Sequence, residues 1–328
     1  MNLPLAGLSG LLLNSHVETR ARLATLGQEA VTGRRADPAR ALGGDLSGLA
    51  AIERDVALME GHKVGVERAG VRLSAMTAAM DAVRGAAEGA ASSLLVLGSP
   101  GGAVPGGALE ALGRGGLDQI VVALNTRVGE DHVFAGTRSG VPPLPQTDDI
   151  LAALDGAVGG ITDPAARRDA VRGWFAPGGG LDAMPGTPPP GDPVRLPLAP
   201  GEVQPLDVRA SDPALRRAMA DLAFAALGSD AAPDEAARVA RLAGEGLTGA
   251  SGGLVTLSAG IGETQARAEG ALARMAAETH ALEMARVGLV SVDPYAAATA
   301  LREAEAGLET LYAVTARLSR LSLSEYLR

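Results

Sequence analysis

In LETLYAVTARLSRLSLSEYLR, residues 308–328, apolar side chains recur at Leu311, Val314, Leu318 and Leu321. Spacings of 3, 4 and 3 put them on one line of a helix that packs lengthwise against another helix. The next position on that line, Glu325, is polar. Upstream, Leu301, Ala304, Leu308 and Leu311 lead into the same line, and Leu5, Leu8 and Leu12 keep a similar rhythm at the other end. Between them, Leu46, Leu49, Ile52, Val56 and Met59 repeat it, and Ala268, Leu272, Met275, Thr279 and Leu282 do so again. The series Leu73, Met76, Met80, Val83, Ala87, Ala90, Leu94 and Leu97 sustains it for over three heptads. These coiled-coil-like seams predict a mainly α fold, a long helical bundle formed by both chain ends.

Composition agrees. Hydrophobic residues make up 47% of the 328-residue chain but aromatics only 2%, so Ala and Leu must do the packing that rings do in most enzyme cores. The net charge of −9 argues against nucleic acid, which needs a clustered basic surface. The short pairs Arg34–Arg35, Arg167–Arg168 and Arg216–Arg217 have acidic neighbours and read as solvated helix faces. Without Cys there is neither a disulfide nor a thiolate metal site. No apolar run approaches the ~18 residues of a membrane span, so no membrane insertion is expected. No Lys or Arg precedes the first apolar run, and GRR at 33–35 is followed by no such run, so neither a secretory nor a twin-arginine signal is expected.

The helical stretches are punctuated by Asp-Pro at 37–38, 212–213 and 293–294, each predicting a capped helix start with Pro in the first turn. GSPGGAVPGG (98–107) reads as a turn. Residues 137–213 differ in kind, holding 14 of the 20 prolines. Pro at that density cannot continue long helices. PVRLPL and EVQPLDVRAS predict short strands, TDDILAALDGAV and DPAARRDAVRGWF two short helices. The expected organisation is a terminal helical domain of 1–40 with 288–328, a helical rod of 41–136 with 212–287, and an inserted Pro/Gly-rich α+β domain at 137–211.

Chemistry-bearing motifs are sparse. The histidines at 16, 62, 132 and 280 stand apart, and His280 with Glu283 makes only two ligands, so no metal site is expected. There is no nucleophile elbow, and the Gly-rich stretches lack the lysine of a phosphate cradle. Glu303 and Glu305 beside Arg302 read as an ionic helix face, and Met76 and Met80 as packing groups. No catalytic residue and no cofactor is expected.

Three segments carry a family resemblance. LATLGQEAVTGRRADPAR resembles the flagellin-superfamily segment in which a leucine-bearing helix runs into Thr-Gly-Arg/Lys and an Asp-Pro turn. EDHVFAGTRSGVPPL (130–144) resembles that family's Phe-Ala-Gly-Thr junction between helical region and variable insert. DPYAAATALREAEAGLETLYAVTARLSRLSLSEYLR resembles the last helix of the hook–filament junction proteins, also called flagellar hook-associated protein 3. The Gln-Ala-Asn stretch of filament flagellins is absent. The resemblance spans roughly 1–136 and 212–328.

It implies a structural subunit of the bacterial flagellum, extracellular, exported by the type III route without signal cleavage. Its partners would be further copies in a ring, adjoining hook-associated and flagellin-type subunits, and an export chaperone at the C-terminal helices. Leu5, Leu8, Leu12, Leu301, Leu308, Leu311, Val314, Leu318 and Leu321 would form the assembly seam. Thin helices bury too little apolar surface to offset ordering entropy of ~1–2 kcal/mol per residue. Both ends are therefore expected to be loose in the monomer and to fold on assembly. A filament flagellin is the neighbouring alternative; a cytoplasmic helical adaptor, or an enzyme housed in the insert, are the distant ones.

Overall fold

The computed structural model describes residues 5–99, 104–185, 187–228 and 232–326; the side chains of 5–12, 106, 233, 318, 319 and 321–326 lie outside that description. It is mainly α, 73% helical. The elements in order are α1 (Leu5–Thr32), α2 (Pro38–Ala41), α3 (Ser47–Leu97), α4 (Gly106–Leu124), β1 (Arg127–Val128), β2 (Asp131–His132), α5 (Thr147–Val158) and α6 (Pro164–Phe175). Then follow α7 (Gly180–Ala183), β3 (Val194–Ala199), β4 (Glu202–Leu206), α8 (Pro213–Ala226), α9 (Pro233–Val290) and α10 (Pro294–Tyr326). Two compact units result: Met1–Glu60 with Ala276–Arg328, and Gly61–Met275.

In the first unit, Asp-Pro pairs do what the sequence predicts. Asp37 caps α2, its carboxylate accepting the Arg40 amide at 3.0 Å, and Asp293 accepts the Tyr295 amide at 2.9 Å ahead of α10. Gly33, with φ of 65°, takes the left-handed conformation that ends α1. The chain leaving it pairs with the α9–α10 turn: Arg34 bridges Ser291, the Arg35 amide donates to the Val290 carbonyl at 2.8 Å, and the Val292 amide donates to the Gly33 carbonyl at 3.1 Å. The Thr-Gly-Arg and Val-Ser-Val-Asp-Pro segments are thus the two halves of one backbone clasp.

The second unit holds the core. Leu73, Met76, Met80, Val83, Ala87, Ala90 and Leu94 of the α3 seam are all buried. Its centre is α8, apolar nearly all round and buried from Leu215 to Ala226 except at Arg217. Helices α4 and α6 pack on it. Small residues let backbones close up: a Cβ on Gly113 of α4 would stand 2.6 Å from the Leu222 carbonyl oxygen and press on the Ala226 amide. Gly113→Ala is therefore expected to destabilise the protein by about 2 kcal/mol despite alanine's better helix propensity, read as a lower urea midpoint.

The proline-rich stretch forms what its alternation predicts. α5 and α6 occupy the two helical segments, and β3 pairs antiparallel with β4 around the Gly201 turn. The Phe-Ala-Gly-Thr segment has a steric basis here. Phe134 is buried; Gly136, at φ 65°, lies so close to the Asp192 carbonyl that a Cβ would meet it at 2.6 Å. The Thr137 amide then donates to that carbonyl at 3.0 Å, and its hydroxyl accepts the Asp192 amide at 3.1 Å.

One expectation fails. Arg216 is no solvated face residue but is 4% exposed. It is held by Asp182 of α7 and by the carbonyls of Phe175 and Ala176 at 3.3 and 3.4 Å. Beside it, Asp221 is fully buried and accepts two bonds of 3.0 Å from Arg172. Buried charges persist in an apolar helix because each is paired and hydrogen-bonded. The partners lie 34 and 49 residues away, beyond any local pattern.

Candidate assembly surface

The terminal unit is built from slender contacts. Helices α1 and α10 lie against one another. Tyr312 ties them together: Arg20 donates to its hydroxyl at 2.9 Å, and the His16 ring stands edge-on at 5.1 Å. Tyr312→Phe removes an exposed hydrogen bond only, so the expected loss is under about 1 kcal/mol, checked by the thermal midpoint.

Among the described side chains of this unit, the buried hydrophobics are Val290 and Ala297 alone. Seam positions elsewhere reach only partial burial: Leu49, Ile52, Val56 and Met59 on α3, Leu282 on α9, and Leu301, Ala304, Leu308 and Leu311 on α10. Large apolar groups of the same unit stay in solvent, among them Leu13 (68% exposed), Val17 (63%), Val31 (87%) and Tyr295 (82%). A stripe that covers itself only halfway, in a unit that leaves such groups in water, is an incomplete core.

The nine seam residues fall out as follows. Leu301, Leu308 and Leu311 share one half-buried line of α10, and Val314 continues it at 42% exposure. Leu5, Leu8 and Leu12 lie in α1, Leu318 and Leu321 in α10, but their side chains are outside the described residues. Leu13, Val17 and Tyr312 were not among them; Leu13 and Val17, at a spacing of four, could have been found from the same periodicity.

The histidines remain dispersed. His16 packs on Tyr312, and His132 of β2 is buried with its Nδ1 2.8 Å from the Asn125 carbonyl. Among the described residues no group of three or more His, Asp or Glu side chains is placed to hold a metal ion, and no helix is long and apolar enough to cross a membrane.

Residues 245–327 match the family model described as the bacterial flagellin C-terminal helical region. No curated protein matches the chain. The matched segment comprises the greater part of α9 and all but the last residue of the sequence beyond it, and so includes the half-buried line of α10. It supports the flagellin superfamily and a flagellar structural subunit; proteins of that family are structural, are exported to the flagellum and self-assemble into its polymer.

Proposed function

We propose that this chain is the junction subunit between the flagellar hook and filament, assembling as a ring through its terminal helices. The observation that carries an assembling role is the terminal unit's want of a core: two buried hydrophobics among its described side chains, against the well-filled second unit. Hydrophobic surface left by one chain is completed by equivalent helices of neighbouring copies, with Leu5, Leu8, Leu12, Leu301, Leu308, Leu311, Val314, Leu318 and Leu321 as the seam. Favouring the junction over the filament is the stretch LSRLSLSEYL, which resembles the last helix of the junction proteins more than that of filament flagellins. Partners are further copies, the adjoining hook-associated and flagellin-type subunits, and an export chaperone at the C-terminal helices. The helical rod of 41–136 with 212–287 and the insert of 137–211 serve as body, the ends as assembly domain.

An antibody raised against residues 137–211 tests the placement on isolated flagella under the electron microscope. A single band at the outer end of the hook is expected. Label along the whole filament would make the chain a filament flagellin, and intact flagella without label would remove it from the organelle.

A further inference from the structure

Between α6, the first turn of α8 and α9, the second unit contains an open cleft of about 550 Å³. Four arginines line it, Arg168 and Arg172 from α6 and Arg216 and Arg217 from α8, in a chain whose net charge is −9. The one carboxylate in its lining is Glu245. Phe175, Pro177 and Pro213 supply apolar wall.

The arginines divide into two kinds. Arg172 and Arg216 are committed to the buried carboxylate of Asp221 and the half-buried one of Asp182 and fix the frame. Among the described residues Arg168 makes one ion pair within 4 Å, to Asp169 at 3.8 Å, and its buried Nε lacks a hydrogen-bond acceptor. Arg217 is exposed and, among the described residues, makes no ion pair within 4 Å. The buried Nε of Arg216 is also without an acceptor. Donors from two helices are therefore unfilled at one cleft, and the positive end of the α8 dipole lies at the same place.

We propose that this cleft binds a small phosphate monoester, its phosphate held between the Arg168 and Arg217 guanidiniums and its organic part against Phe175, Pro177 and Pro213. Guanidinium forks match the oxygens of a phosphate group, and two of them from separate elements suit a dianion better than a single carboxylate. The volume exceeds what inorganic phosphate fills and lies in the range of small-molecule sites. All of this stands within the second unit, apart from the reading of the terminal helices.

The test is calorimetric titration of the full chain with glycerol 3-phosphate and with inorganic phosphate, using glycerol and chloride at matched ionic strength as blanks. Saturable binding of both phosphates is expected, the ester tighter, with the blanks silent. The double variant Arg168→Ala/Arg217→Ala should weaken binding by about a hundredfold, about tenfold for each charge-assisted contact. Arg217→Glu, a change at an exposed position, should abolish it while the protein still unfolds in one cooperative transition, somewhat earlier because Arg217 also attracts the Asp221 carboxylate. Absence of saturable binding, or equal binding by wild type and both variants, would overturn the proposal. So would a protein indifferent to phosphates whose Arg217→Glu variant fails to assemble, since the cleft would then serve a carboxylate of another chain.

Discussion

Leu311→Asp is expected to abolish self-assembly while leaving the second unit as stable as before. Leu311 sits on the half-buried line of α10 with Leu301 and Leu308, next to Tyr312. In the monomer its side chain retains access to water, so the aspartate can stay hydrated and the loss of stability should remain near about 1 kcal/mol. In the polymer neighbouring helices would cover the same position. An unpaired carboxylate would then lose its water, at a cost of several kcal/mol per subunit. Sedimentation should show monomers at concentrations where wild-type protein polymerises. A urea transition for the core helices coinciding with that of the wild type would separate this result from misfolding. Normal polymerisation by the variant would take Leu311 out of the interface.

Arg172→Ala should be the most damaging change within the second unit, and its damage should depend on pH. Asp221 is fully buried on α8; desolvation raises its pKa from 3.8 to about 6, against the opposing pull of Arg172, Arg168 and Arg217. A carboxyl whose folded pKa is raised holds its proton more tightly in the folded state. Its burial therefore costs nothing extra below about pH 4, and the cost grows as pH rises through the window from 3.8 to about 6. The gap corresponds to about 3 kcal/mol for the ionised form, already allowing for the arginines. Removal of Arg172 leaves a buried charge without its partner, a loss of about 3–5 kcal/mol at pH 8. At pH 4 Asp221 is neutral in either protein, and most of that loss should vanish. Urea midpoints of wild type and variant at the two pH values check this. A deficit independent of pH would mean that Arg172 acts through packing alone. Asp182 has the opposite sign: the hydrogen bond from Arg216 holds its pKa low, so its contribution is present at neutral pH and is lost on acidification.

Most of the fold could be read from local pattern because local chemistry determines it. Asp37 and Asp293 cap the helices behind them, Gly33 and Gly136 hold conformations that a side chain resists, and the 3–4 rhythm from Leu73 to Leu94 marks a buried line. The same rhythm from Leu301 to Leu311 leads only to half-burial. Periodicity reports that a helix has an apolar face, whereas the number of helices covering it is a tertiary fact. That difference separates the core seam from the terminal one, and no count of leucines could have supplied it. The arginine cleft was hidden for a related reason. Arg216, Arg217 and Asp221 look like an ordinary charged helix until α6 and α7 bring Arg172 and Asp182 to them from far along the chain.

On this reading the terminal helices obtain their core from other copies. Hydrogen exchange on dilute monomer and on assembled protein measures this directly. In the monomer, amides of α1 and α10 should exchange close to the rate of fraying segments, while those of α8 and of 73–94 exchange only by global opening. Assembly should slow α1 and α10 by orders of magnitude and change α8 little. Protection of α1 and α10 in the dilute monomer equal to that of α8 would mean instead that the paired ends are complete by themselves.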